Sequence, residues 1–102
     1  MFATHPQLQV KQTPMRIAPP GRRFSHEDAC RIFGQVLRVG EARRIVIDLE
    51  QAEEATTSAF AQLVLLRRTL LRAGRDLCVT GLKNRTAGLY EVNRLAAVLP
   101  AL

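Results

Sequence analysis

The sequence predicts an α/β fold: a mixed β-sheet with an opening β-hairpin, in the order β-β-α-β-α-β-α. Three observations carry this. Ile45, Val46 and Ile47 form an unbroken β-branched run, and a strand with one wet face would alternate apolar with polar. This strand is therefore expected to be covered on both faces. Residues 57–73 then hold apolar side chains at helical spacing as far as Gly74. Asp76-Leu77-Cys78-Val79-Thr80 follows as another strong strand. Strands separated by a helix of that length pair in parallel through right-handed crossovers.

Taken in order, Leu8 and Val10 alternate with Gln7, Gln9 and Lys11, which reads as a strand with one wet face. Met15 and Ile17 flank Arg16 in a second short strand, and the two can form a hairpin around Thr13-Pro14. Pro19-Pro20-Gly21 forces a loop. Ser25 opens the first helix; Asp28 three residues on completes a capping box, and Phe24 is positioned to staple the entry. Ala29, Ile32, Phe33, Val36 and Leu37 make its apolar face. Gly34 inside this helix costs on the order of 1 kcal/mol against alanine, and close packing on a neighbour would be its compensation. Gly40 supplies the stop.

The central strand, residues 44–49, leads into an acidic loop with Glu50, Glu53 and Glu54. Thr56, Thr57 and Ser58 stand just before the second helix, whose stripe is Phe60, Leu63, Val64, Leu66, Leu70 and Leu71. A hydroxyl at that junction caps the first free amides, and for Thr57 this is worth about 1 kcal/mol against alanine. The same spot tolerates a phosphate, because amides and helix dipole both favour negative charge. After the third strand Gly81 breaks the chain, and Asn84 is expected to cap a third helix over about residues 85–95, with Leu89, Val92 and Leu95 inward. Pro100 prevents a long helical continuation. In such sheets the functional edge lies at the carboxyl ends of the strands. The loops found there, 50–58 and 81–84, are predicted to be neighbours.

At 102 residues the chain is expected to be a single domain, 1–102, with a core over about residues 8–95. Cys30 and Cys78 have no second cysteine at ligand spacing and read as buried reduced thiols. His5 and His26 are too few and too scattered for a metal site, and no cofactor is expected. No apolar run reaches membrane-spanning length and the first residues lack a secretory core, so the expectation is a cytoplasmic protein that does not insert in a membrane. The formal charge is +6, nearly all arginine. The arginines are dispersed and no row of aromatics offers itself for base stacking, so a solvated helix face is expected rather than a nucleic-acid surface. Asp48, Glu50, Glu53 and Glu54 lack the carboxylates of an earlier strand that a phospho-receiver would need; Asp48 is expected to bond loop amides. No nucleophilic triad or phosphate-binding glycine loop is visible, so no enzyme is expected.

The succession MRIAPPGRRFSHEDACRIF, RRIVIDLE, TTSAFAQLVLLRRTLLRAGRDLCVTGL and NRTAGLYEVNRL resembles a STAS domain, the family of bacterial anti-sigma-factor antagonists. The joint order and spacing carry the likeness. The resemblance implies a STAS-like fold with the final strand and helix shortened. It also implies a non-enzymatic interaction module that binds an anti-sigma kinase through the start of the second helix, and is switched when a Ser or Thr there is phosphorylated. The family's Asp-Ser-Ser-Gly run aligns with Thr56-Thr57-Ser58-Ala59, which makes Thr57 the phospho-acceptor candidate, with Ser58 and Thr56 as second choices. Thr56 stands where the family has an acid, and Ala59 where it has glycine. The implied docking surface is Glu53, Glu54, Thr56, Thr57, Ser58 and Phe60, with Leu82, Lys83 and Asn84 from the later loop. A second reading within the resemblance is the STAS subunit of a bacterial phospholipid-transport ABC complex, seated on its ATPase. A third, from another class, is arginine-driven nucleic-acid binding. Pairing of two copies through the exposed sheet edge is a further option.

Overall fold

The computed structural model describes residues 14–102. The strand predicted around Leu8 and Val10, and with it the opening hairpin, lies outside the described residues. Its expected partner, β1 (Met15–Ile17), pairs in parallel with β3 (Arg44–Asp48), and β3 pairs in parallel with β5 (Asp76–Thr80). The sheet order is β1-β3-β5, with Ile45 opposite Met15 on one side and Leu77 on the other. The β-branched run thus sits in the middle of the sheet, and Ile45, Val46 and Ile47 are all buried.

Two helices make the crossovers. They are α1 (His26–Arg38) between β1 and β3, and α2 (Thr57–Arg72) between β3 and β5. Ala29, Ile32 and Val36 of α1 meet Phe60, Leu63, Leu66 and Leu70 of α2 in one core. Ile45, Ile47, Leu49, Leu77 and Val79 complete that core from the strands, so both helices cover the same face of the sheet. Side chains alternate across a strand, which puts Arg16, Val46, Asp48 and Cys78 on the other face. Leu37, expected on the inner face of α1, is about half exposed. Gly34 is exposed and a Cβ there would meet nothing within 4 Å, so close packing does not explain it. Cys30 is exposed and Cys78 half-buried, correcting the expectation of two buried thiols; burial pushes the Cys78 thiol up.

A second, two-stranded parallel sheet has no counterpart in the sequence reading. It joins β2 (Arg23–Phe24) to β4 (Glu54–Ala55), with Phe24 opposite Ala55. Its strands run directly into the caps of the two long helices, Ser25 for α1 and Thr56 for α2. The pair therefore sets both helix starts side by side. Ser25 carries the predicted capping box: its side chain accepts from the Asp28 amide and the Asp28 carboxylate accepts from the Ser25 amide, each at 3.1 Å. These bonds and Arg31 hold the Asp28 carboxyl below its ordinary range. Phe24, expected as a staple, is buried edge-on to Phe60 at 6.2 Å between ring centroids.

The third helix, α3 (Asn84–Val92), departs from expectation. Lys83 is the residue at its cap and makes no side-chain bond; Asn84 has a left-handed backbone, φ +53°, and belongs to the helix. Of the expected stripe Leu89 and Leu95 pack against the core, but Val92 is 81% exposed, and the fully inward positions are Thr86 and Tyr90. Thr86 is fully buried because its hydroxyl donates to the Ala52 carbonyl at 2.8 Å. Tyr90 packs against Phe60 and donates to the Leu99 carbonyl at 2.7 Å. Burial raises the Tyr90 pKa. A single 3-10 turn, Leu95–Ala97, brings Leu99 into the core and lays the next residues along β5. There the Val79 amide donates to Pro100 and the Leu102 amide to Val79, a parallel bridge on the sheet edge. A single strand position is thus present beside β5, which agrees with the expected shortening of the final strand.

Candidate functional site

The loops that leave β3 and β5 meet at the carboxyl end of the sheet, as predicted. Gly81 shows how closely. It has φ +75°, and a Cβ there would stand 2.7 Å from the Glu50 amide nitrogen and 3.0 Å from an Asp48 oxygen. Only glycine allows both that backbone and that approach. Asp48 ties the first loop down: one oxygen accepts from the Glu50 amide at 3.0 Å and the other from Arg16 at 3.0 Å. The Glu50 amide bond, with help from Arg16, holds its carboxyl below the ordinary range against the opposing effect of burial. Both oxygens are therefore engaged in fixing the loop. Among the described residues no group of His, Cys, Asp and Glu is arranged to hold a metal ion.

Three neighbouring hydroxyls open α2, and each is in a different situation. Thr56 is the cap: its side chain accepts from the Ala59 amide at 3.0 Å. This corrects the assignment of capping to Thr57, which is the first residue of the helix proper. Ser58 lies 2.6 Å from Nδ1 of His26, the first residue of α1, and the same imidazole reaches the Cys30 sulfur at 3.3 Å. Thr57 is exposed, and among the described residues its hydroxyl has no hydrogen-bond partner. The first turn of α2 carries no acid, so its free amides face no intrinsic counter-charge. Sequence reasoning dismissed His26 as scattered. Only the β2–β4 pairing brings it within reach of Ser58, 32 residues away.

Beside these hydroxyls is an open cleft of about 290 Å³ lined by Arg22, Glu53, Glu54, Asn84 and Arg85. Arg22 pairs with Glu53 at 3.2 Å and Arg85 approaches Glu54 at 3.6 Å, both solvent-exposed pairs. Glu53 and Glu54 are thus partly matched by arginines, of which Arg22 was not expected at the site. Lys83 and Asn84 are exposed on the neighbouring loop, whereas Leu82 is half-buried against the core. Phe60 is corrected: at 1% exposure it is a core side chain, wedged between Phe24 and Tyr90, and offers nothing to a partner's surface.

No family model matches this sequence, and none of the curated proteins does. Among solved structures, a sulfate transporter family protein from Wolinella succinogenes is similar, with a TM-score of 0.72 at 15% identity, over 84% of this chain and 70% of that one. At that identity the likeness shows the fold: a STAS-like α/β domain with parallel strands and three helices. Among the described residues no helix is long and apolar enough to cross a membrane.

Proposed function

We propose that this chain is a non-catalytic docking module of the anti-sigma-factor-antagonist kind. Its docking surface is the rim made by the start of α2, Glu53, Glu54 and the Lys83-Asn84 loop, and Thr57 is its switch. The observation that carries this is the division of labour among the three hydroxyls. Thr56 is occupied as a cap and Ser58 by His26, while Thr57 is exposed and without a partner among the described residues, at a helix start whose first turn has no acid. Transfer of a phosphoryl group to the Thr57 oxygen would add about 1.5 to 2 negative charges there. The free amides of the first turn would stabilise that charge. A partner surface matched to the neutral rim would then meet it at a cost, so binding weakens while the fold stays intact.

The test is incubation with the cognate anti-sigma kinase and ATP, followed by mass spectrometry. Phosphate on Thr57, absent from Thr57→Ala, is expected. Incorporation that persists in Thr57→Ala would remove the assignment.

A second reading is favoured by Thr56. With a hydroxyl cap where the antagonists have an acid, the rim serves equally as a fixed contact, as in the STAS subunit of a phospholipid-transport ABC complex. Affinity capture separates the two: a histidine-kinase-like ATPase supports the switch, and an ABC ATPase supports the fixed contact.

A further inference from the structure

The end of the sheet opposite the hydroxyl rim has a different electrostatic character. At the rim three arginines are matched, Arg16 with Asp48, Arg22 with Glu53 and Arg85 with Glu54, which leaves Lys83 as an exposed cation without a carboxylate within 4 Å among the described residues. At the opposite end the chain gathers Arg38 from the end of α1, Arg43 and Arg44 from the entry to β3, and Arg68 and Arg72 from the last turns of α2. All five are exposed, and none has a carboxylate within 4 Å among the described residues. Arg75 ties these segments together by donating to the carbonyls of Ala42 and Val39. The acids at this end are Glu41, which is exposed, and Asp76, whose carboxylate pairs with Arg67 at 2.7 Å and also feels the charge of Arg44 beside it. Helix dipoles account for a cation in the last turn of each helix, hence Arg38 and Arg72. They do not account for Arg43, Arg44 or Arg68.

Aliphatic side chains are set singly among these arginines. Leu37, Val39 and Leu71 are 47%, 51% and 47% exposed. The core of a protein–protein interface is depleted of charge and continuous, which this surface is not. A nucleic acid would meet the guanidinium groups but offers no apolar layer for the aliphatics, and among the described residues no aromatic stands with them to stack a base. A lipid interface offers both, with phosphates at headgroup level and a shallow acyl layer beneath. We infer that the arginine end of this domain is a peripheral docking surface for anionic phospholipid membranes, separate from the hydroxyl rim and lying at the other end of the sheet.

The test is co-sedimentation of the full chain with vesicles of equal parts phosphatidylglycerol and phosphatidylcholine, against phosphatidylcholine alone. Binding is expected only to the anionic vesicles, and should vanish in about 1 M salt, where the Debye length is ~3 Å. Joint replacement of Arg38, Arg43 and Arg72 by glutamine should weaken binding about a hundredfold, each arginine contributing roughly a factor of five. The same three changed to lysine should keep it, which separates lost charge from lost fold. Leu37→Ser with Leu71→Ser should weaken vesicle binding and leave any retention of duplex DNA unchanged. Equal binding to both vesicles, or none to either, overturns the proposal. So does DNA binding tighter than vesicle binding with the leucine variant indistinguishable from the parent.

Discussion

Thr56→Ala removes the oxygen that accepts from the Ala59 amide, and a loss of about 1 kcal/mol is expected in urea unfolding. Thr57→Ala removes an exposed hydroxyl without a partner among the described residues and should leave the urea midpoint nearly unchanged. If the two losses came out reversed, the cap would belong to Thr57 after all. Gly81→Ala combines a positive φ with a 2.7 Å approach to the Glu50 backbone, so it should destabilise by more than about 1 kcal/mol. Asp28, Asp48 and Asp76 share a pH signature. For Asp76 burial pushes the carboxyl up, but Arg67 and the Leu77 amide outweigh it and the net direction is down. An unfolded-chain Asp titrates near pH ~3.9, and all three lie lower in the fold. The unfolded state therefore takes up protons first on acidification. Their stabilisation is full above the unfolded value and is lost as pH falls through the folded ones. Asp28→Asn should flatten that acid limb in a pH series of melting temperatures.

Among the elements, the long ones were legible because their signals are long. The central strand announced itself by three consecutive β-branched residues and α2 by a stripe ending at glycine. The short ones were not. Arg23–Phe24 and Glu54–Ala55 are two-residue strands with no period to detect, and they exist because the backbone pairing closes around Arg22 and Phe24. In α3 the pattern misled in part: Leu89 packs on the core, but Val92 is turned well round the helix from the inward Thr86 and Tyr90, and Thr86 enters the interior because a carbonyl waits for it. The chain after α3 is held by Tyr90. Tyr90→Phe deprives the Leu99 carbonyl of its donor, a loss of about 1–2 kcal/mol. Faster hydrogen exchange at the Val79 and Leu102 amides is expected; unchanged exchange there would mean that the edge bridge stands without the tyrosine.

For the whole molecule, the parallel sheet gives two unlike ends, because every described strand of β1-β3-β5 points the same way. The carboxyl ends deliver the loops with hydroxyls and matched ion pairs; the amino ends deliver the helix termini with unmatched arginines. The two surfaces should be independent. Thr57→Glu is expected to weaken partner capture with no effect on anionic vesicle binding, and the triple arginine-to-glutamine variant to do the reverse. Cross-effects in both variants would show that one surface serves both. By itself the sequence determined the α/β class, the parallel order, the capping box at Ser25 and the nearness of the 50–58 and 81–84 loops. Each of these follows from local periodicity or from the handedness of crossovers. The tertiary structure alone decided that Thr56 caps α2, that Ser58 belongs to His26, that Phe60 is interior and that scattered arginines share one end. Those facts depend on contacts between residues tens of positions apart, and no local pattern encodes which of several similar side chains a distant backbone will bring within a few ångströms.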